Sequence, residues 1–310
     1  MSKKPELLVT AGSFEELKRY IEAGADAVAV GEETYGLRLP GNMVVKDLEQ
    51  AVPWAHEHGA KIYGVVNHLF DNERANMLDA YLIRLHELKV DGVVFGDPAV
   101  IMAIQENNLN LPLHWNTEMT TTNYETANYW GKQGAVRAVL ARELNLEEVL
   151  EFKKHAKVEV QVQVHGMTNI YHSKRDLLHV YASHQGKNAS HLDTSKERGL
   201  FLIEHERREE KFPVYEDSNG THVMSSDDIC MLEDLHELLA GEIDSLKIEC
   251  LLKSPEYNET VIRSYRAAID SYAQDPESYV FKEEWLEQIQ QLQDPDRELT
   301  FGFFYKEQVY

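Results

Sequence analysis

The stretch His165–Leu178, HGMTNIYHSKRDLL, holds two histidines, an arginine, an aspartate and an asparagine. It directly follows an alternating run, VEVQVQV (Val158–Val164). Imidazole beside a carboxylate and a guanidinium is the material of acid–base and anion-binding chemistry. The stretch nevertheless lacks an obvious nucleophile or metal anchor. If a helix runs through Asn169–Tyr181, His172, Asp176 and His179 fall at i, i+4 and i+7 on one face. They are weak candidates to hold zinc or a similar ion, and a solvated polar face explains the spacing better.

Elsewhere the signatures of common chemistries are missing from the sequence. There is no HExxH, no GxSxG, no Walker loop and no GxGxxG after a strand. Gly96–Val100 and Ala11–Ser13 are helix entries that can offer backbone N–H groups to an anion, which is a weak signal. Two cysteines occur, Cys230 and Cys250, which excludes a disulfide framework and points to a reducing, cytoplasmic home. Cys230 sits at helical spacing with Ile229 and Leu232 and reads as a buried core thiol.

These residues need a scaffold, and the scaffold is legible. Eight short runs rich in β-branched or aromatic residues have strand character. They are Glu6–Thr10, Asp26–Gly31, Lys61–Asn67, Gly92–Gly96, Leu111–Asn116, Ala135–Ala141, Val158–Val164 and Ser245–Cys250. Helices lie between them. Ser13 with Glu16, and Asn145 with Glu148, form capping-box patterns; Gly24 is a stop, and Ser254–Pro255 opens another helix. Pro53 should kink or shorten its helix. Strands alternating with helices imply parallel pairing, and eight of them favour a closed (β/α)8 TIM-barrel-like α/β fold.

The barrel is expected over residues 5–164 and 245–275. Residues 165–244 form a large α+β insertion between the seventh and eighth strands. In it we expect a helix near Asn169–Tyr181, a strand pair turning at Ser218–Asn219–Gly220, and a helix near Asp227–Gly241. An acidic tail, 276–310, either packs as a last strand or stays partly mobile. Function in such a barrel sits at the C-terminal ends of the strands. The polar residues there are Thr10, Glu32, Asn67, Asp97, Asn116, Glu118, Arg142, Glu143, His165 and Glu249. They suit a polar or anionic small molecule, although each can instead cap a helix. Arg142, directly after the sixth strand, can fork onto a carboxylate or phosphate, or pair with Glu143. Catalytic candidates are Arg142, Glu143, His165, Glu118, Asn67 and Glu249.

The 310 residues carry a formal net charge of −22. That argues against independent nucleic-acid binding, which rests on neutralising phosphates. Arg207, Arg208 and Lys211 lie within EHERREEK, where acids cancel them. No apolar run approaches the roughly 20 residues of a membrane span. The N-terminal MSKKPELLVT lacks the apolar core of a signal peptide.

HGMTNIYHSKRDLL, YGLRL (Tyr35–Leu39), VLARELNLEE, SSDDICMLEDL and DSLKIECLLKSPEY together resemble peptidase family U32, the collagenase-like proteases, over most of residues 5–275. The family pattern HGxxCxxYSGRCLL, a following GxCxxPCR and a cysteine-bearing helix imply four cysteines holding a [4Fe–4S] cluster. They also imply oxygen-independent hydroxylation of ubiquinone precursors or, with prephenate, of the tRNA wobble uridine to 5-hydroxyuridine. This chain has Asn169, Asp176, Phe201 and His205 at the cysteine positions and retains Cys230. One thiolate cannot hold four irons. The chain therefore resembles the short, cysteine-poor branch that occurs in pairs in Gram-positive bacteria.

From this resemblance we expect no cofactor on this chain, the cluster on a cysteine-bearing paralogue that is its partner, tRNA reached through that partner, and prephenate as a candidate ligand. Arg142, Asn67 and Glu118, with Arg38 and Arg175 from the quoted motifs, are the candidates for substrate binding. The alternatives are a U32 hydrolase, metal-assisted through His172, Asp176 and His179, and a non-catalytic small-molecule-binding scaffold.

Overall fold

Residues along each barrel strand alternate between the lumen and the surrounding helices, as the two-residue strand period requires. In β1 (Glu6–Thr10) the outward Leu7 and Val9 join the main core, while Leu8 belongs to a separate cluster with Ala27, Ala29, Tyr63, Val65 and Val94 that fills the lumen. The computed structural model describes residues 4–116, 121–186 and 191–307. Within them β1, β2 (Ala27–Val30), β3 (Lys61–Val66), β4 (Gly92–Phe95), β5 (Leu113–Trp115), β6 (Ala135–Val139), β7 (Glu159–Gly166) and β13 (Ser245–Ile248) are parallel neighbours. β13 pairs with both β1 and β7, so the eight strands close into a barrel. This is the expected TIM-barrel-like fold.

The helices that return the chain are α1 (Phe14–Ala23), α2 (Val45–Glu57), α3 (Asn72–Ala75), α4 (Leu78–Glu87), α5 (Pro98–Glu106), α6 (Tyr124–Lys132) and α7 (Leu146–His155). Ser13 accepts from the Glu16 amide, and Gly24, at φ 117°, ends α1. Asn145 and Glu148 make the reciprocal capping box of α7. α2 runs through Pro53 and is not cut short there, a correction to the sequence expectation. The lost N–H is tolerated because tertiary burial of Leu48, Ala51, Val52 and Ala55 holds the helix on both sides of it.

Past β7 the chain builds a second, four-stranded sheet. Its strands β8 (Asn169–Ser173), β9 (Phe201–Leu202), β10 (Phe212–Asp217) and β11 (Gly220–Met224) are ordered β8-β11-β10-β9, with α8 (Leu177–His184) beside β11. Two segments expected to be helical are strands. Asn169–Ser173 pairs antiparallel with β11, so the helix starts only after Asp176. Asp228–Cys230, β12, pairs with β7, and α9 (Leu235–Ala240) follows it. In both cases cross-strand pairing overrides the local pattern.

α10 (Pro255–Gln274) covers the barrel closure and α11 (Glu283–Gln290) packs on it. β14 (Leu299–Thr300) adds to β12. No helix among the described residues is long and apolar enough to cross a membrane.

The hairpin between β10 and β11 pins the small sheet to the barrel. Its tip residue Asn219 donates to the Glu33 carbonyl (3.0 Å) and accepts from Arg74 (3.0 Å), with His68 at 3.1 Å. Gly220 follows at φ 103°, where a Cβ would meet the Ser173 carbonyl at 2.1 Å.

At the opposite, N-terminal end of the lumen, the buried Arg137 bonds Glu6 (2.5 Å) and Glu159 (2.7 Å), and Tyr63 donates to Glu6 at 2.6 Å. Burial pushes the Glu6 carboxyl up, but Arg137 and Tyr63 outweigh it and hold the group below the usual range. Arg137→Met strands that carboxylate and is expected to cost about 3–5 kcal/mol at neutral pH. Because the folded-state value is depressed, this contribution is present above the usual carboxylate range and is lost as pH falls from there through the lowered folded-state value. Urea denaturation of the two proteins checks both points: the gap should be wide near pH 7 and should close progressively as the solution is acidified below the usual carboxylate range.

Candidate functional site

The C-terminal mouth of the barrel gathers inward-facing residues from six strand ends. Thr10, Asn67, Asn116, Arg142, Gln161, Gln163, Lys247 and Glu249 line one enclosed cavity of about 70 Å³, with Arg38 from the loop after β2 and Asn169 from β8. The loop carrying Arg38 lies hard against the exit of β1. A Cβ on Gly12 would meet the Gly41 amide nitrogen at 2.4 Å, so both positions must be glycine for this approach. Arg38 itself has φ 56°, a left-handed conformation that a side chain adopts only where its surroundings dictate it. Its neighbours supply the constraint: the Leu37 amide donates to Asn67 (2.8 Å), and Lys196 donates to the Leu39 carbonyl (2.7 Å).

Glu249 is the fixed point of the mouth. It accepts from the Thr10 hydroxyl at 2.7 Å and from the Lys247 ammonium at 2.8 Å, and the Cys250 amide donates to Thr10. Among the described lining residues three cations, Arg38, Arg142 and Lys247, stand against this one carboxylate. Two lining amides are buried and incomplete: Gln161 Oε1 and Asn169 Oδ1 have no donor among the described residues. A buried acceptor without a donor carries a desolvation cost that a ligand or water O–H or N–H removes. The arrangement therefore suits a small oxyanion that also bears a hydrogen-bond donor. A volume near 70 Å³ holds a carboxylate head or about two waters, not a larger body.

Thr10, Arg38, Asn67, Asn116, Arg142 and Glu249 of the expected residues meet at this mouth. The others do not. Asp97 caps α5, accepting from the amides of Ala99 (2.9 Å) and Phe70 (3.0 Å). Glu32 and Glu143 lie outside the cavity, and burial raises the Glu32 carboxyl. Glu118 lies outside the described residues. Arg175 is exposed, and its backbone bonds Ser173 and Thr221.

His165 turns away from the lumen. A register shift where β7 meets β13 sends its ring outward, where Nε2 lies 2.9 Å from the Tyr257 hydroxyl on α10. Burial pushes its pKa down to about 3, so the ring is neutral and sealed off at physiological pH.

Gln161, Gln163 and Lys247 are mouth residues that the strand-end reading missed. The signal was present: Gln161 and Gln163, and Lys247 and Glu249, are spaced by two and so share the inward face.

The proposed metal face is dispersed. His172 is on a strand, stacked on His222 with ring centroids 4.6 Å apart, and bonds the Asn219 carbonyl. Asp176 is exposed, and His179 pairs with Glu216 at 2.5 Å. No group of three or more potential ligands occurs among the described residues. Arg207 pairs with Glu204 and Glu210, and Lys211 with Asp296, leaving no basic patch there.

The residues that the resemblance sets at cysteine positions lie in different surroundings. Asn169 lines the mouth, Phe201 lines a second cavity, Asp176 and His205 are exposed, and Cys230 is buried on a strand rather than a helix. Burial pushes the Cys230 thiol up to about 11 and raises Cys250 further. Two buried, protonated thiols with an amide and a phenyl ring do not fit a [4Fe–4S] cluster, which needs about four thiolates.

The sequence profile of peptidase family U32 matches residues 12–309. The chain is 48% identical over 309 residues to tRNA hydroxylation protein P2 of Bacillus subtilis (strain 168), spanning 99% of this chain and 100% of that protein. It is 32% identical over 316 residues to tRNA hydroxylation protein P1 of the same strain, spanning 100% and 74%. Among solved structures, the U32 peptidase Mk0906 superposes with a TM-score of 0.51 at 19% identity, covering 80% of this chain and 94% of that one, a likeness of fold.

The raised thiols give a direct check. At pH 8 both cysteines should resist iodoacetamide in the folded protein and label fully in denaturant, because the thiolate is the reactive form. Rapid labelling of native Cys230, read by mass spectrometry, would contradict its placement.

Proposed function

The chain belongs to peptidase family U32, and we propose that it is the non-redox member of a pair of family chains that hydroxylates the tRNA wobble uridine to 5-hydroxyuridine. In this reading the barrel mouth binds a small carboxylate, with prephenate the candidate. A cysteine-bearing paralogue carries the iron–sulfur cluster and contacts the tRNA. The observation that carries the reading is the mouth itself: Arg38, Arg142 and Lys247 around Glu249, with the incomplete acceptors of Gln161 and Asn169, in a chain without the thiols for a cluster.

Each residue has a definite task. Arg142 and Arg38 engage the carboxylate, since charge-assisted bonds are the strong ones. Lys247 is held by Glu249 and sets the field at the base of the mouth. Gln161 and Asn169 accept from a hydroxyl of the ligand and orient it. A ligand larger than the head group reaches past Met167, Met224 and Leu251, which roof the cavity. Peptide hydrolysis has less support. The hydroxyl that lines the mouth, Thr10, is engaged with Glu249, and His165 is turned away from it.

A partner surface is available. Eight of the seventeen large apolar side chains exposed among the described residues fall between Ile170 and Ile203. In α8 Val180 and Tyr181 are exposed and Ala182 is the one buried residue. Val180 and Tyr181 on α8 are the part of this surface assigned to the partner, since Phe201 lines the second cavity and neighbours along β8 and β9 point to opposite faces. Residues 169–211 hold eight basic and seven acidic side chains, so this face escapes the strong negative charge of the whole chain.

Deleting the gene should lower wobble 5-hydroxyuridine and its derivatives, and the wild-type gene should restore them. Arg142→Ala should fail to complement and should weaken prephenate binding by calorimetry about 10–100-fold. Val180→Ser with Tyr181→Ser should release the cysteine-bearing paralogue in co-purification while leaving prephenate binding unchanged. An unaltered tRNA nucleoside profile in a deletion strain without a redundant pathway would sink the reading.

A further inference from the structure

A second cavity, of about 640 Å³, lies at the seam between the barrel, the small sheet and the C-terminal segment. That is the size of a small-molecule pocket and about nine times the volume enclosed at the mouth. The two cavities meet at Met167, which lines both. The walls of the larger cavity are mixed, with charged residues on one part and an apolar and aromatic stretch of Leu200, Phe201, Pro213, Leu252 and Tyr257 on the other.

Two buried cations also line it, and they share one carboxylate. Lys253 bonds Asp228 at 2.5 Å and Arg297 bonds it at 2.8 Å, with the three side chains 7%, 6% and 0% exposed. Burial raises the Asp228 carboxyl, but Lys253 and Arg297 outweigh this and hold it at about 2, so it is ionised. Taken alone, the triad keeps one positive charge in excess. Lys253 has the neutral Gln293 as a further close partner, and the exposed Asp294 carboxylate acts on it from the solvent side. Arg297 is further incomplete: Nη2 donates to the carbonyls of Ser225 and Asp227, Nε to Asp228, and Nη1 has no acceptor among the described residues.

The acidic residues on the wall have other engagements. Glu16 accepts from the Gly12 amide, Asp296 pairs with Lys211, and Asp294, which is exposed, accepts from the Asp296 amide. Glu197 sits exposed on the turn Lys196–Arg198. A buried guanidinium with an unused N–H, next to excess positive charge, calls for an anion. Aromatic walls that already carry cations, Lys211 over Phe201 at 5.3 Å and Lys253 over Tyr257 at 4.7 Å, suit a flat apolar body behind that anion.

We propose that this seam cavity is a second ligand site, separate from the barrel mouth, for a small organic anion with a carboxylate or phosphate head and a ring-sized apolar body. The head sits on Arg297 and Lys253, and the body lies between Phe201, Leu252 and Tyr257. The site stands on its own residues and does not depend on the hydroxylation reading.

Benzoate, phenyl phosphate, inorganic phosphate and benzyl alcohol are the probes, titrated at equal concentrations by calorimetry and thermal shift on the full chain. Benzoate or phenyl phosphate should bind and stabilise the protein, and whichever binds tighter identifies the head group. Benzyl alcohol, which lacks the charge, and inorganic phosphate, which lacks the body, should bind at least about tenfold more weakly. Arg297→Met should abolish the anion preference. Because that variant removes one of the two cations on the buried Asp228 and can impair folding, Phe201→Trp serves beside it. This change adds bulk at a half-exposed wall, should leave circular dichroism unchanged, and should weaken binding of the ring-bearing anion. Arg142→Ala, at the mouth, should leave these affinities unchanged. Binding lost in Arg142→Ala would return the anion to the mouth and overturn the second site. Equal binding of benzyl alcohol, or none by either ring-bearing anion, would overturn the anion assignment.

Discussion

The seating of β13 between β1 and β7 is the constraint on which the rest of the molecule depends. It closes the sheet and brings Glu249 within 2.7 Å of Thr10, 239 residues earlier in the chain. Without that closure the mouth has no floor, because Lys247 and Glu249 come from β13 and its exit, whereas Gln161 and Gln163 come from β7. A closed barrel has no free edge, so the register of each strand is set by both neighbours. The inward alternation then becomes obligatory. Every polar residue at an inward position is delivered to the mouth or to the Arg137–Glu6 cluster at the other end, while the intervening apolar residues meet the helices.

That same constraint explains which features were legible in the sequence. The barrel strands and helix caps depend on local chemistry: β-branched runs, Ser13, Asn145, Gly24 and Ser254 each act within a few residues of themselves. The mouth was partly legible, since Thr10, Asn67, Asn116, Arg142 and Glu249 follow from strand ends alone. His165 did not follow, because a register irregularity against β13 decides its side and leaves no trace in composition. Asn169–Ser173 and Asp228–Cys230 are short and carry helix-compatible spacing. Their strand state comes from β11 and β7, partners 48 or more residues away in one case and 63 or more in the other. Arg297 drew no attention in the sequence, because its meaning depends on burial beside Asp228.

Charge and thiol chemistry divide the molecule's tasks. A chain with a net charge of −22 repels a polyanion over most of its surface, yet the barrel mouth and the seam cavity each place cations in their lining that no bulk property reveals. Low-dielectric walls concentrate the field of such cations, so a small anion is attracted where a large one is refused. The buried Cys230 and Cys250 contribute packing, and their raised thiols are poor nucleophiles and poor ligands. In the function proposed above, this chain recognises a small anion, and nucleic-acid contact and electron transfer fall to a thiol-bearing partner.

The roof over the mouth limits access to it. Asn169, Met167 and Met224 belong to the region of the small sheet, and that sheet is tied to the barrel at Asn219, whose side chain bonds Glu33, Arg74 and His68, and at Lys196, which bonds the Leu39 carbonyl. Apolar packing of Met167, Tyr215, Met224 and Leu251 adds to these bonds, as does Lys174, which donates to the Leu69 carbonyl. The small sheet therefore fixes Asn169 at the mouth through packing as well as hydrogen bonds, and the position of that acceptor depends on contacts made well away from the cavity.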